Sequence, residues 1–230
     1  MWVANCSNYW VFWKKLLLIL EYADLLFLKY RDSEIKIKDY FKLVRGKTPS
    51  TKNPEYYENG TIKWINSGVL TNLYFLTEYT SPSKLVTEKA VKECGLAYAQ
   101  INSTLISIIR ISEFDKVAWV QKNDFSLGTG ICNFVIKERG NQKEKNATLF
   151  FALRSLDLSA YSIGSMFPSI QTSVLINMKI NWVSNPAHQK KFFTILDSKL
   201  AKIRDLHSQI RDLHSQIRDL LLLKYFGKKN

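Results

Sequence analysis

A seven-residue repeat near the C-terminus constrains the fold more than any other feature of this chain. Ile203–Gln209 (IRDLHSQ) is repeated unchanged as Ile210–Gln216, and a third copy begins at Ile217. Seven residues are close to two helical turns, so the isoleucines of successive copies lie on one edge of a helix with the leucines beside them. Ile at position a and Leu at position d form a coiled-coil seam. The predicted seam residues are Leu196, Ile203, Leu206, Ile210, Leu213, Ile217 and Leu220.

No Gly or Pro interrupts Ala187–Phe226, which predicts one helix of about 40 residues and about 60 Å. The alternative is a helix packed on its own domain, but such a narrow apolar stripe favours a similarly narrow partner. The e and g positions carry His and Gln, so the direction of pairing is not predicted. Identical tandem copies suggest that the number of copies can change and that helix length is a functional variable.

The charge balance predicts a polyanionic partner. The chain has 230 residues, 46% of them hydrophobic, with 33 Lys and Arg against 20 Asp and Glu, a net charge of +13. Nucleic acid and an anionic membrane surface both fit this excess. The basic residues are spread along the chain, which favours a folded basic surface over a disordered arm.

The cysteines argue against disulfides and metal binding. Cys6, Cys94 and Cys132 are odd in number and far apart, without metal-ligand spacing, so we expect three small core residues, no metal site and a reducing cytoplasmic location.

The N-terminal segment Tyr9–Tyr30 is rich in Trp, Leu and Phe but is not expected to span a membrane. Lys14, Lys15, Glu21 and Asp24 divide it into pieces too short to cross a bilayer. It also lacks the cleavage site of a secretory signal. We predict a helix over residues 10–30 that packs on other helices; a membrane anchor is the alternative.

One segment of this helix is echoed at the other end of the chain. Asp24–Tyr30 (DLLFLKY) and Asp219–Tyr225 (DLLLLKY) agree at six of seven positions. The similarity is either chance between two Leu-rich segments or the mark of a circular layout with helix ends on both sides of a central module.

Between the two helical ends, strand-like and helix-like segments are mixed, which predicts an α+β fold. The alternation at Ile35, Ile37 and Tyr40–Val44 predicts either a first strand or a short helix-strand unit. Further strands are predicted at Thr61–Ile65, Ile101–Ile111, Lys116–Val120, Ile131–Ile136 and Leu175–Ile180; helices at Ser83–Cys94 and Ala147–Leu156; and a turn at Phe125–Gly130.

Three polar segments of this central region contain turn-forming residues. Arg45–Pro54, Asn66–Gly68 and Gly164–Ser173 offer cations, hydroxyls and amides on exposed backbone. Such groups position phosphates and contact base edges. Solvated loops without a ligand are the alternative.

Motifs of catalysis are missing from the sequence. There is no P-loop, no H-E-x-x-H and no Ser/His/Asp set in a recognisable context. Leu127–Cys132 (LGTGIC) contains G-x-G but lacks the third glycine and the strand-to-helix context of a nucleotide site. Asn185-Pro186-Ala187 is not the motif with which amino-methyltransferases hold a target base. We therefore expect no catalysis by this chain.

Several segments together resemble a target-recognition domain of the specificity subunits of type I restriction-modification systems. The first is Arg45–Gly68 (RGKTPSTKNPEYYENGTIKWINSG). The later segments follow in the same order as in that family: Val86–Leu96, Leu105–Ser107, Ser126–Lys137 and Gly164–Ile180, followed by Asn185–Ile203, which is similar to the start of the spacer helix. The resemblance covers residues 35–226.

This resemblance implies a chain that recognises DNA and cuts nothing. A separate modification subunit would bind S-adenosylmethionine and methylate adenine, and a restriction subunit, where present, would cleave. Usual specificity subunits hold two recognition domains apart on two antiparallel spacer helices and bind a bipartite site. This chain resembles half of such a subunit, so we expect a homodimer or pairing with another half-subunit.

The predicted organisation is an N-terminal helical segment (1–33), a target-recognition domain (34–184), a spacer and dimerisation helix (185–226) and a tail (227–230). The predicted DNA contacts are Lys47, Thr48, Ser50, Thr51, Lys52, Asn53, Tyr56 and Tyr57, with Asn66, Ser67, Ser169 and Gln171 from neighbouring turns. The chain itself is expected to hold no cofactor. The alternatives are a coiled-coil adaptor that does not bind DNA, a silent truncated cassette for recombination, and a membrane-surface protein.

Overall fold

The computed structural model describes residue 18 and residues 20–71, 73–77, 80–111, 117–122, 124–137, 142–164 and 167–226. Within the last helix, the side chains of residues 192, 195, 196, 199, 200, 202, 203, 206, 207, 210, 223 and 226 are outside this description. Most of the predicted N-terminal helix before residue 20, Cys6 and the predicted 227–230 tail also lie outside the described residues.

Helices and strands alternate along the chain, and the predicted α+β fold is confirmed. The elements are α1 (residues 20–30), β1 (Ser33–Lys36), α2 (Ile37–Tyr40), β2 (Phe41–Arg45), β3 (Ile62–Ile65), β4 (Phe75–Leu76), β5 (Lys84–Val86), α3 (Glu88–Cys94), β6 (Thr104–Ser107), β7 (Val117–Val120), β8 (Phe125–Leu127), β9 (Ile131–Ile136), α4 (Gln142–Arg154), α5 (Thr172–Asn177), β10 (Lys179–Trp182) and α6 (Pro186–Phe226).

The chain divides into two compact units. One is Phe27–Lys190, and the other combines Met1–Leu26 with Lys191–Asn230. In the second unit the described residues are helical, and α6 runs for 41 residues in total, about 60 Å at 1.5 Å per residue. The long helix expected from the stretch without Gly or Pro is therefore confirmed, as is the helical state of both echoed segments.

Three sheets build the unit Phe27–Lys190. The largest has the order β2-β9-β6-β7-β4, with β2, β9, β6 and β7 antiparallel and β4 parallel to β7. A second sheet has the order β5-β3-β8, in which β3 and β8 are parallel, and β1 pairs with β10 in a third. The mixture of parallel and antiparallel pairs is typical of an α+β domain.

The five-stranded sheet is covered on both faces. Successive side chains of a strand point to opposite faces. Leu105 of β6 lies in a buried cluster with Phe125 and Leu127 of β8, whereas the Thr104 hydroxyl donates to the Asn146 carbonyl oxygen of α4 at 3.2 Å. Residues 146–153 of α4 are all buried, so this part of the helix is enclosed by the protein on every side.

Some local predictions are wrong because buried strands lack the alternation of polar and apolar residues that marks a strand in a sequence. The segment Leu175–Ile180, predicted as one strand, contains the end of α5 and the start of β10. The segment Phe125–Gly130, predicted as a turn, begins with β8, and only residues 104–107 of the predicted strand Ile101–Ile111 form β6. Continuous apolar runs do not distinguish helix from strand by their periodicity.

Helix α3 begins at a hydroxyl cap and ends at a glycine. The Thr87 hydroxyl oxygen accepts from the Ala90 N–H at 3.2 Å and its O–H donates to the Glu55 carbonyl oxygen at 2.9 Å. Gly95 ends the helix in the left-handed region at φ +58°. The predicted start at Ser83 is wrong, because β5 occupies Lys84–Val86.

Replacing the cap tests how α3 is anchored. Thr87→Ala should lower the free energy of unfolding by about 1 kcal/mol, because the Ala90 N–H loses its acceptor. Thr87→Ser keeps the hydroxyl and should retain most of the stability. Urea denaturation followed by circular dichroism measures both variants. Equal midpoints for the Ala variant and the unsubstituted protein would contradict the capping role.

Candidate nucleic-acid interface

Strand register brings three turns to one end of the five-stranded sheet. Arg45, the last residue of β2, pairs with Cys132 at the start of β9. Ser107, the last residue of β6, pairs with Ile131, the first residue of β9. The segments that follow β2 and β6 and the segment that precedes β9 therefore leave the sheet at the same end.

The neighbouring sheet adds a fourth segment at the same place. In the parallel pair of β3 and β8, Ile65 is the partner of Leu127, so both strands end together. The Gly128 N–H donates to the Ile65 carbonyl oxygen at 2.8 Å, and the Lys47 N–H donates to the Leu127 carbonyl oxygen at 2.9 Å. The turn after β3 and the segment after β2 are thus both joined to the turn after β8.

A small hairpin completes the arrangement. Ile163 and Ser169 exchange backbone hydrogen bonds of 2.8 and 3.0 Å, and Ser169 also forms an isolated bridge with Ile109. The Ile111 N–H donates to the Pro168 carbonyl oxygen at 3.0 Å. We call the segments joined in this way the turn cluster: residues 46–53, 66–68, 108–111, 128–130, 163–164 and 167–171.

The charge of the turn cluster is positive. The charged residues of its segments are Lys47, Lys52 and Arg110, whereas Glu55 lies two residues beyond the first segment, and Glu113 and Asp115 lie outside the described residues. Lys47, Lys52 and Arg110 are exposed. Exposed cations attract phosphate, and polar turn residues can contact bases or sugars. A charge of this sign is suited to a polyanionic ligand.

The predicted contact residues of the cluster divide into two groups. The first group uses its side-chain oxygen to hold a turn: Thr48 donates to the Thr129 hydroxyl at 2.9 Å, and the oxygens of Ser50, Asn53 and Asn66 accept from the N–H groups of Lys52, Glu55 and Gly68 at 3.3, 3.2 and 3.0 Å. In the second group, within the part of the chain that the structure describes, the side chains form no hydrogen bond: Lys47, Thr51, Lys52, Ser67, Ser169 and Gln171.

The two predicted tyrosines lie beside α3 and are only partly exposed. Tyr56 donates its O–H to a Glu93 carboxylate oxygen at 2.9 Å, and this hydrogen bond raises the pKa of Tyr56. Tyr57 donates to the Pro49 carbonyl oxygen at 2.7 Å, and burial raises the pKa of Tyr57. Both phenols therefore remain protonated at neutral pH, and both support the loop from within the protein.

Three residues of the cluster were missed by sequence reasoning. Thr129 accepts the Thr48 hydrogen bond, and the Arg110 guanidinium lies 5.1 Å from the centre of the Phe167 ring. Arg110 is a single cation in the apolar run Ile108–Ile111, and that isolated charge was the available signal. Its proximity to Phe167 depends on a bridge between segments about sixty residues apart, which no local pattern indicates.

A shallow cleft lies at the opposite end of β2. It has a volume of about 660 Å³ and is lined by Glu34, Ile35, Lys36, Lys38, Asp39, Tyr40 and Lys179. Because Tyr40 precedes the first residue of β2 and the turn cluster follows the last, the cleft is separate from the cluster. Its lining mixes lysines with two carboxylates, so it lacks the uniform charge of the turn cluster.

The predicted seam of α6 is exposed where its side chains are described. Leu213, Ile217 and Leu220 are 55%, 45% and 65% exposed. The side chains of Leu196, Ile203, Leu206 and Ile210 lie outside the described residues. Exposed apolar residues at heptad spacing are the pattern of a pairing helix, so the seam stays a prediction with its C-terminal part available to a partner.

The two cysteines in the described part of the chain pack with core residues, and the same part offers neither a metal site nor a membrane-spanning helix. Cys132 is buried in β9, which raises the pKa of its thiol to about 11, and Cys94 packs at the edge of a core cluster. Among the described residues, no group of His, Cys, Asp and Glu is arranged to hold a metal ion. No helix in the described ranges is both long enough and apolar enough to cross a bilayer.

Comparison with known proteins agrees with the resemblance. A family model described as Type I restriction modification DNA specificity domain matches residues 31–213. The Type I restriction enzyme MjaIX specificity subunit of Methanocaldococcus jannaschii is 33% identical over 166 residues, which cover 70% of this chain and 36% of that protein. Both descriptions fit the expected specificity component and neither describes a catalytic one.

A solved structure of low sequence identity shares the fold. The type I S subunit from M. genitalium superposes with a TM-score of 0.57 at 17% identity, covering 85% of this chain and 46% of that one. The HsdS subunit from Thermoanaerobacter tengcongensis gives a TM-score of 0.47 at 13% identity, covering 90% and 48%. The chain thus spans less than half the length of these relatives.

Proposed function

Because this chain belongs to the type I restriction-modification DNA specificity domain family, we propose that it binds one half of a bipartite DNA site and directs adenine methylation there. The chain supplies recognition. A modification subunit that binds S-adenosylmethionine supplies the chemistry, and a restriction subunit, where present, supplies cleavage.

One observation carries this proposal: separate turns that expose cations converge at one end of the five-stranded sheet. Lys47 and Lys52 provide salt-sensitive affinity by releasing counterions from phosphates. Thr51, Ser67 and Gln171 have side chains without a hydrogen bond inside the described protein, so they are the candidates for base contacts. Thr48, Ser50, Asn53 and Asn66 hold the turns that present these groups.

Pairing through α6 gives the second half-site. The exposed Leu213, Ile217 and Leu220 pack against the same seam of a second copy, and two identical modules impose a two-fold symmetric site. The helix pair acts as the ruler between the half-sites. The M. jannaschii relative, a specificity subunit of a type I restriction enzyme, supports assembly with the other subunits of such a system.

A methylation map tests the proposed function. The chain is co-expressed with a type I modification subunit from the same genome in a methylation-free host, and modified adenines are sequenced. We expect a palindromic bipartite motif, which requires both recognition and a homodimer. A non-palindromic bipartite motif would assign the second half-site to a different half-subunit and overturn the homodimer.

The remaining outcomes separate the alternatives. A complex that forms but methylates nothing contradicts an active specificity subunit and favours the silent cassette. If no complex forms and the chain still pairs through α6, the coiled-coil adaptor becomes the better description. Sedimentation with anionic vesicles at physiological salt would instead favour the membrane-surface protein.

Salt dependence tests the two lysines of the loop after β2. The slope of log K for DNA binding against log salt concentration should become less steep by about 0.9 in each single variant, Lys47→Gln and Lys52→Gln, because each loses one phosphate contact. Preference among sequences should change little. Lys38→Gln, in the cleft at the opposite end of β2, is the matched control and should leave the slope unchanged. Fluorescence anisotropy titrations over a range of salt concentrations measure all three, and equal slopes would contradict the assignment.

A further inference from the structure

Arg110 has a backbone conformation that residues other than glycine rarely adopt. Its φ is +52°, in the left-handed region, where residues other than Gly are disfavoured. The flanking Ile108 and Ile111 are buried, and their backbones are held by hydrogen bonds with Gly130, Ile170 and Pro168 of 2.8 to 3.0 Å. The surroundings therefore impose the strain, and they place Arg110 on the surface between two anchored neighbours.

The neighbouring hairpin exposes large apolar side chains at the same place. Phe167 and Ile163 are each 60% exposed. The Arg110 guanidinium carbon lies 5.1 Å from the centre of the Phe167 ring, within the range of a cation–π contact. The backbone bridge between Ile163 and Ser169 and the contact with Arg110 place the Phe167 ring on the surface beside a cation.

We propose that Arg110 and Phe167 form a DNA-contacting pair, in which the Phe167 ring packs against the bases of the half-site and Arg110 binds the adjacent phosphate. The inference rests on the proposed function and names two residues of the same site. An exposed aromatic ring beside a cation matches duplex DNA, because the ring can insert into a base step while the cation binds the adjacent phosphate. The strained backbone at Arg110 and the exposed ring of Phe167 then place both side chains where DNA can reach them.

DNA fits this surface better than a second protein does. The pair belongs to the turn cluster, whose exposed charged residues within its described segments are cations. Apolar side chains next to cations are used by DNA-binding proteins as wedges that partly unstack a base step. A protein partner, such as the modification subunit, is the competing occupant and is distinguished by the experiment below.

The experiment compares Phe167→Ala and Arg110→Gln in the purified complex with the modification subunit. Affinity is measured over a salt series on a duplex that carries the mapped site and on a scrambled duplex of equal length. Phe167→Ala should weaken binding to the site about tenfold, the loss expected for one stacking contact, with an unchanged salt slope. Arg110→Gln should make the slope less steep by about 0.9, as for one lost phosphate contact.

Matched controls lie at the other end of the same strands. Ile101 precedes β6 and Lys122 follows β7; both are exposed, and the adjacent Asn102 N–H donates to the Val120 carbonyl oxygen. Ile101→Ala and Lys122→Gln should bind DNA like the unsubstituted chain. If Phe167→Ala and Arg110→Gln match these controls while the unsubstituted complex still binds its site, the pair is not a DNA contact and the proposed function stands.

Two further results separate the explanations. Arg110→Gly removes the cation and also relieves the left-handed backbone strain. It should therefore weaken DNA binding without lowering the thermal midpoint of unfolding. If Arg110 had only a structural role, DNA binding would not weaken while the midpoint stayed unchanged. Loss of the modification subunit from the Phe167→Ala complex, with DNA affinity per complex unchanged, would make the patch a protein interface and overturn the proposal. If the unsubstituted complex methylates no site and does not bind DNA, the proposed function fails and this inference fails with it.

Discussion

Deleting Ile210–Gln216 should shorten the unspecified spacer of the methylated site by about 3 bp and leave both half-site sequences unchanged. The deletion removes about 10.5 Å of helix, and a base pair occupies about 3.4 Å along the duplex. The seam keeps its register, because seven residues rotate a helix by only about 20° relative to two full turns. Pairing of the two copies should therefore survive the deletion.

The DNA duplex tolerates the shortening less well than the protein helix α6 does. Three base pairs are about 0.3 of a turn, so the two half-sites also rotate around the DNA axis. The complex must absorb that twist, and we expect fewer sites to be fully methylated although the new spacing predominates. Sequencing of modified adenines after co-expression gives both the spacing and the methylated fraction.

Two companion variants make the result specific to the repeat. Inserting one more copy of Ile210–Gln216 should lengthen the spacer by about the same amount. Deleting only residues 210–213 breaks the heptad register, which should abolish pairing and methylation together. An unchanged spacing after the seven-residue deletion, or changed half-site bases, would refute the ruler model.

The long helix could be predicted from sequence because its signals are local. The stretch without Gly or Pro predicts Pro186–Phe226 almost to the residue, and the strands β3 and β9 follow from β-branched runs beside turns. The prediction for the segment around Leu175 was wrong, because its apolar run contains the end of a helix followed by a strand. Burial removes the alternation of polar and apolar residues that would distinguish the two.

The candidate site could be predicted only in pieces. The loop after Arg45 and the turn at Ser169 were each polar and rich in turn residues, but their proximity follows from strand register. Arg110 and Phe167 are ordinary residues in sequence and become a pair only through the bridge between Ile109 and Ser169. Pairings between distant segments carry no local signature, so a single sequence identifies the parts of the turn cluster without their arrangement.

The glycines of the cluster show how closely those parts approach. A Cβ on Gly46 would lie 2.2 Å from the Gly128 carbonyl oxygen and 2.7 Å from the Leu127 carbonyl carbon. Both are backbone atoms. They cannot move aside easily, because the Gly46 N–H donates to the Ile131 carbonyl oxygen at 2.9 Å and the Lys47 N–H donates to the Leu127 carbonyl oxygen at 2.9 Å. The segment after β2 and the turn after β8 are therefore in backbone contact, and Gly128 of the G-x-G motif serves packing here.

Gly46→Ala should consequently lower the free energy of unfolding by about 1–3 kcal/mol and weaken DNA binding, because forcing β2 from the turn after β8 displaces Lys47 and Thr48 together. Gly68→Ala is the matched control in the same cluster. Its Cβ would meet only the Asn66 side chain, at 3.1 Å, and the loss of chain entropy in the unfolded state should offset that contact. Urea denaturation and anisotropy titrations measure both variants. Equal stabilities would mean that the backbone contact at Gly46 does not hold the cluster together, whereas a destabilised Gly46→Ala that binds DNA normally would separate the packing of these turns from recognition.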